Sequence, residues 1–423
     1  MDYDEAEGAV VISVRAATKA RNRCGRCGRR SPGYDRGAGR RRWRALDLGT
    51  CRVLVEADAA RVRCRRHGPT VAAVPWARHG AGHTRDFDDQ AAWLAVHVSK
   101  SAVVELLRIA WRTVGAIVAR VGADIDAAVD RLEGLRRIGI DEISYKRGAR
   151  FLTIVVDHDT GRLVWAGPGR DSATLDTFFR ALGPERAALI THVSSDGARW
   201  VKKALAQWTP GAIHCADPFH VVSWATKALD VERRRAWNQA AGRHRVDMAA
   251  RSDFRGSTGP SRHVKAARYA LWKSPENLTA RQRHQLDWIQ KTDPRLWRAY
   301  LLKEGLRYAV ALKGDEGKVA LGAWIAWARR CRITAFVELS RKIVDHREAI
   351  EAMMDSRLSN GLVESTNTKI RLLTRVAFGF HGPQPLIALA MLALGGHCPD
   401  LPGRGRFAAA PSGRFAPSGL ALG

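Results

Sequence analysis

Between residues 137 and 220 the sequence alternates short β-branched or apolar runs with turn residues and two amphipathic stretches, and this order limits the folds open to the chain. Runs at 137–145, 151–156 and 162–166, the last two joined by an Asp-His-Asp-Thr-Gly turn, read as an antiparallel meander. A helix at 173–182, a strand at 187–193, a helix at 200–207 and a short strand at 212–216 follow.

Three strands, helix, strand, helix, strand is an α/β order. It predicts a mixed five-stranded sheet of ribonuclease H-like type, with the first and fourth strands as neighbours. Asp141 and Asp196 each stand where an apolar run stops. Alone, either reads as a turn or cap residue. On adjacent strands they come together, and two carboxylates about 4 Å apart repel by roughly 4 kcal/mol at an effective dielectric near 20. A divalent cation between them removes that cost, and hard Mg²⁺ prefers oxygen ligands.

A third acid, Glu364, lies far downstream in Asn360-Gly-Leu-Val-Glu-Ser-Thr-Asn367, and the three acids read as one metal site. If the chain is helical from about 362, then Asn367 or Thr368, Arg371 and Arg375 follow Glu364 at steps of three or four. With Lys369 these basic residues can hold a phosphate backbone beside the metal, although an isolated surface helix would show the same spacing. Asp217-Pro-Phe-His220 offers a competing acid and a histidine able to contact a phosphate, and both are assigned accessory roles.

The 423 residues carry 70 Lys and Arg against 42 Asp and Glu, a net charge of +28. The basic residues are spread along the chain, which points to a polyanion held over a long surface. Seven cysteines, an odd number, fit reduced thiols in a cytosol better than disulfide staples. No apolar run approaches the roughly 20 residues of a membrane span, and the acidic residues 1–8 lack the order of a signal peptide.

Cys24-Gly-Arg-Cys27 and Cys64-Arg-Arg-His67 repeat a two-residue spacing around a segment with strand character at 51–56. Four such ligands suit tetrahedral zinc. Cys51 is an alternative to His67 as the fourth. Arginines crowd both pairs, which favours phosphate contact by this module. Downstream, Asp88 and Asp89 precede a helical pattern, Ser101 can cap a second short helix ending at 107, and 111–121 reads as a third with a Val114, Ile117, Val118 and Val121 stripe. Arg112, Thr113 and Arg120 remain for its outer face. A short helix, a three-residue turn and a helix opening with Arg112 and Thr113 is the arrangement that enters a major groove. A plain helical hairpin fits this segment equally well, and the adjacent arginine-rich module favours DNA.

These parts predict a tail at 1–18, a zinc module at 19–80, a helix-turn-helix at 84–135 and a ribonuclease H-like core at 136–222 and 351–398. A helical insertion at 223–350, with a mobile loop near 243–265 and mostly buried tryptophans, interrupts the core. A disordered tail follows at 399–423.

Cys24-x-x-Cys27 with Cys64-x-x-His67, Pro75-Trp76, Trp111-Arg-Thr-Val, Gly139-Ile-Asp-Glu142, Ser195-Asp196-Gly197, Asp217-x-Phe-His220 and Gly361-Leu-Val-Glu364-Ser-Thr-Asn-x-Lys369 with Ala377-Phe-Gly-Phe380 resemble, in this order, the DDE transposases of bacterial insertion sequences. Within these the chain is most similar to the family called ISL-three, where a fourth cysteine is common at the position of His67. The resemblance implies a catalytic triad of Asp141, Asp196 and Glu364 holding two Mg²⁺ ions, with Mn²⁺ as a substitute, and structural zinc. It implies cleavage and strand transfer at one phosphodiester, on terminal inverted repeats and target DNA, by a homodimer or larger assembly in a bacterial cytoplasm, associated with the nucleoid. A DNA-binding regulator with an inactive nuclease fold, or a nuclease that does not join strands, are the rival readings.

Overall fold

The computed structural model describes residues 1–250, 264–356, 358 and 360–404. It divides into two compact units, Met1–Arg131 with the chain from Arg371, and Leu132–Ile370.

In the first unit β1 (Asp2–Asp4), β2 (Ala9–Ser13), β4 (Arg40–Leu48) and β5 (Cys51–Asp58) form a sheet in the order β1-β2-β5-β4. The first 18 residues are therefore not a tail. Ala9 and Val11 alternate inward and are buried, β2 pairs parallel with β5, and Arg42 bridges Asp4 and Glu7, each at 3.0 Å, and Glu56 at 3.1 Å. The acidic start is thus neutralised by the basic strand β4. A second sheet, β3 (Gly33–Asp35), β6 (Arg61–Cys64) and β7 (Gly68–Val71), carries the second zinc-ligand pair.

Helices α1 (Arg85–His97), α2 (Lys100–Leu107) and α3 (Trp111–Ala128) make the helix-turn-helix. Thr84 caps α1 by accepting the Phe87 N–H, so Asp88 and Asp89 lie inside the helix. Ser99, rather than Ser101, caps α2 through the Ala102 N–H. The turn contains Arg108 in the left-handed region (φ 52°), fastened to Asp47 and the Thr50 carbonyl. The predicted stripe Val114, Ile117, Val118 and Val121 is buried against Phe87, Ala91 and Val103. Leu389 and Leu392, from the helix Pro383–Leu394, complete this core. That segment, read from sequence with the catalytic core, supplies apolar area to the helix-turn-helix instead.

Arg120 does not serve an outer face. It donates to both oxygens of Asp88 at 2.9 and 3.1 Å, and Asp88 is fully buried with Arg78 3.6 Å away. Removing Arg120 leaves this buried charge without its hydrogen-bonded partner and facing Arg78. Arg120→Ala is expected to destabilise this unit by about 3 kcal/mol, read as an earlier unfolding step in urea melts.

In the second unit β8 (Arg137–Lys146), β9 (Arg150–Asp157), β10 (Leu163–Pro168), β11 (His192–Ser195) and β12 (Ile213–Ala216) form a sheet in the order β10-β9-β8-β11-β12. β8, β9 and β10 are antiparallel, whereas β11 runs parallel to both β8 and β12. This is the predicted ribonuclease H-like order. Ile138, Ile140, Val155 and Val193 pack on Leu175, Phe178 and Phe179 of α4 (Ser172–Leu182) and Val201 of α6 (Arg199–Trp208). The fourth strand is shorter than predicted. Gly183 (φ 85°) and Pro184 start a helical turn, α5 (Pro184–Ala187), and the ladder begins only at His192.

α7 (Pro218–Ala250) opens the helical insertion, which continues through Arg268–Trp272, Ala280–Thr292, Pro294–Ala311, Gly314–Arg330, Thr334–Asp345 and Arg347–Ser356 around a separate apolar core. Trp324 is buried, with its indole N–H donating to the Leu302 carbonyl at 2.8 Å. Trp224, Trp272, Trp288 and Trp297 pack against the same core, whereas Trp237 and Trp327 keep 38% and 40% of their surface exposed. Of the predicted mobile loop, residues through 250 continue α7 and 251–263 lie outside the described residues. The predicted disordered tail also lies outside them from 405 onward.

Candidate active site and metal centre

The parallel pairing of β8 and β11 ends in register at Gly139 opposite Ser194. Asp141 and Asp196 are each two residues further on, so they stand level at the same end of two adjacent strands. Asp141 Oδ1 accepts the Glu142 N–H at 2.8 Å, and Asp196 Oδ1 accepts the Ala198 N–H at 2.9 Å, closing the turn into α6. Burial pushes the Asp141 carboxyl up to about 6. The Glu142 N–H opposes this, and the charge of Asp196 adds to it.

Glu142, next to Asp141 in the Gly139-Ile-Asp-Glu142 motif, has no role expected from the sequence. Its carboxyl is pushed up to about 7, by burial first and then by Asp196 and Asp141, and Arg170 lies 3.4 Å from it. The available signal was an acid directly after Asp141 inside a strand otherwise rich in isoleucine.

From β12, Asp217 turns into α7. Its carboxylate accepts the N–H groups of Phe219 and His220, each at 3.3 Å, and bonds His220 Nδ1 at 2.6 Å. The bond to Asp217 raises the His220 pKa, and Asp196 and Asp141 add to it. Asp217 is 3% exposed, so most of its bonding capacity is spent as a helix cap and histidine anchor.

Glu364 sits in the first turn of the helix Gly361–Val376, where its N–H donates to the Asn360 carbonyl at 2.7 Å and its own carbonyl accepts from Thr368 Oγ1 at 2.9 Å. One turn on, Asn367 Nδ2 donates to Asp141 Oδ2 at 2.7 Å. Asn360 is held by the buried Ser194, whose hydroxyl donates to Asn360 Oδ1 at 2.5 Å and also bonds His158 Nε2 at 2.7 Å. The bonds of Asn367 to Asp141 and of Ser194 to Asn360 and His158 were not legible in the sequence, because each links segments far apart in the chain.

Gly139 lets the helix approach. A Cβ there would lie 2.4 Å from Val363 Cγ2, 2.9 Å from His158 Nε2 and 3.2 Å from Ser194 Oγ. Gly139→Ala is therefore expected to cost about 1–3 kcal/mol as overpacking and to shift the Glu364 helix. A lowered melting temperature with a lowered cleavage rate and unchanged DNA affinity is the expected result.

Among the proposed DNA-contacting residues, Lys369, Arg371, Arg375 and Arg112 are exposed, whereas Thr113 is only partly so.

The four residues predicted to hold zinc converge closely. Cys27 Sγ lies 3.7 Å from Cys64 Sγ, and His67 Nδ1 lies 3.6 Å from Cys24 Sγ and 3.7 Å from Cys64 Sγ. A regular tetrahedron with Zn–S about 2.3 Å and Zn–N about 2.0–2.1 Å has edges of about 3.8 and 3.6 Å. The donor set thus has the dimensions of a structural zinc site. Among the described residues it is the one group of three or more His, Cys, Asp or Glu with all ligand atoms within 4.8 Å of one another. Asp141, Asp196 and Glu364 do not form such a group. Cys51, at the start of β5, is not in the zinc group. The N–H groups of Arg66 and His67 lower the Cys64 thiol to about 6, which favours the ligating thiolate.

A zinc ribbon, a helix-turn-helix and a mixed sheet bearing acids at adjoining strand ends define a DNA-binding transposase. Family models agree segment by segment. One described as "Transposase" matches residues 138–390, the "Helix-turn-helix domain of transposase family ISL3" matches 72–122, and the "zinc-finger of transposase IS204/IS1001/IS1096/IS1165" matches 20–67. The chain belongs to the ISL3 family of insertion-sequence transposases. It is 63% identical over 409 residues to the transposase for insertion sequence element IS1557 of Mycobacterium tuberculosis, covering 95% of this chain and 92% of that protein. It is also 26% identical over 345 residues to the transposase for IS1001 of Bordetella parapertussis, covering 80% and 81% respectively. Among the described residues no helix is long and apolar enough to cross a membrane.

Proposed function

We propose that the chain binds the terminal inverted repeats of its insertion sequence and catalyses strand cleavage and strand transfer by two-metal-ion phosphodiester chemistry, with Asp141, Asp196 and Glu364 as the metal-holding acids. The bond from Asn367 to Asp141 carries this reading, because it brings the Glu364 helix to the first acid across 226 residues of sequence. The donor set fits a hard cation. It consists of carboxylate oxygens, and burial first, with the charge of Asp196 adding to it, raises Asp141 and the neighbouring Glu142. Beside them, the buried Asn367 Oδ1 has no hydrogen-bond partner among the described residues. Bound Mg²⁺, or Mn²⁺ in its place, would supply Lewis-acid stabilisation of the phosphoryl charge and lower the pKa of an attacking water or 3′-hydroxyl.

The chain's own groups do the rest. Asp141 is oriented by one N–H donor on each oxygen, from Glu142 and Asn367, leaving a lone pair on each for a cation. His220, whose pKa the bond to Asp217 raises, offers in its protonated form an N–H donor to a phosphate oxygen as an accessory group. Lys369, Arg371, Arg375, and Arg112 with Thr113 on α3, contact the DNA, the last two in the major groove. Pairing two ends calls for at least a homodimer, working in the bacterial cytoplasm beside the nucleoid.

The test incubates purified protein with end DNA and Mg²⁺ and maps cut and joined products. Joined products support the reading, cutting without joining supports a plain nuclease, and repeat binding with neither supports an inactive regulator.

A further inference from the structure

Resting on that reading, we infer that Phe219 forms a stacking subsite for an unpaired nucleobase next to the scissile phosphate. Phe219 is the second residue of α7 and immediately precedes His220. Its N–H is tied to Asp217 Oδ1 at 3.3 Å, and its ring stands edge-on to His220, with centroids 6.0 Å apart and planes at 87°. Despite this fixed base the side chain is 64% exposed.

A large apolar side chain with a pinned backbone and an open face is unusual beside a cluster of acids. β12 pairs in parallel with β11, Ser195 opposite Ala216, so Asp217 stands level with Asp196, and Phe219, two residues on, borders the end of the sheet where the phosphate must arrive. The carboxylates there are partly buried, and a duplex strand reaching them has to bend toward the sheet end. Bending unstacks a base step, and an inserted apolar wedge offsets that loss. An aromatic face does so for any base, since every base has a π-face. The occupant is therefore a base displaced from the duplex at the junction of repeat and flank, bound by stacking without sequence selection.

The test uses full-length protein and synthetic duplexes carrying the element's own inverted repeat and flank, with 2-aminopurine walked across the junction. In Ca²⁺, wild-type binding is expected to raise fluorescence at one position. Phe219→Ala is expected to lose that rise at equal DNA occupancy, and Phe219→Trp to keep it quenched by stacking. In Mg²⁺, Phe219→Ala is expected to cut the paired duplex about tenfold more slowly, with the loss largely restored when that base is mismatched. No fluorescence change with the wild type, or an equal loss on paired and mismatched DNA, would overturn the inference. So would a Phe219→Ala defect confined to protein assembly, which would assign the ring to a protein contact. The fluorescence arm requires no cleavage, so a wild-type protein that binds but does not cut would refute the proposed chemistry while still deciding the role of Phe219.

Discussion

Asp141→Asn is expected to abolish Mg²⁺-dependent end cleavage while leaving repeat binding intact. Metal stabilisation of the phosphoryl charge is worth several kcal/mol, so a fall of roughly a thousandfold or more follows, and Glu364→Gln should match it. The same substitution has an opposite effect on stability. The Asp141 carboxyl titrates near 6 in the fold against an ordinary 3.8, so the folded state binds protons more tightly than the unfolded one. Ionising Asp141 then costs the fold increasingly as pH rises from about 4 through about 6, reaching about 3 kcal/mol above that. In EDTA at pH 8 Asp141→Asn should melt higher than wild type, with the gap closing as pH falls toward 4. Mg²⁺ should raise the wild-type melting temperature at pH 8 and leave the variant unchanged. Cleavage by Asp141→Asn at the wild-type rate would remove this residue from the chemistry.

The second large effect is expected at the zinc centre. Cys64→Ser removes a thiolate that is buried and sits 3.7 Å from both Cys27 Sγ and His67 Nδ1. Structural zinc contributes about 10–16 kcal/mol in finger peptides, and the apolar cluster around these ligands is small, with Cys24, Val62 and Cys64 at its centre. The three-stranded sheet that carries the second ligand pair therefore has little else to hold it. Metal analysis should show the wild-type zinc lost, limited proteolysis should open the chain before residue 72, and repeat binding should weaken. The second unit has its own two cores and should keep its unfolding transition. Full zinc occupancy in Cys64→Ser would mean that another ligand, such as Cys51, can replace it.

Patterns confined to short stretches were legible in the sequence. The two Cys and Cys/His pairs, the α3 stripe and the alternation of strand and helix from β8 to β12 depend on local periodicity and fixed spacing. They predicted the sheet order and the adjacency of Asp141 and Asp196. The errors fell where a distant segment decides the outcome. Asp2–Asp4 and Ala9–Ser13 form strands because β5 and Arg42 receive them. Arg120 turns inward because Asp88 is buried beneath it. Pro383–Leu394 joins the helix-turn-helix because the apolar surface of α1 and α3 is left uncovered by those helices alone.

By itself, then, the sequence determined the kinds of module present, their order, and the residue types able to bind zinc, Mg²⁺ and phosphate. Spacing along one chain is enough to specify a strand, a helix face or a tetrahedral ligand pair. Tertiary structure decided how Asp141 is held. The absence of a side chain at Gly139 admits Val363, the Ser194 to Asn360 bond anchors the start of the Glu364 helix, and Asn367 then reaches Asp141. Those contacts exist only once loops of more than a hundred residues have closed, and no local periodicity encodes the pairing of atoms that closure brings within hydrogen-bond reach.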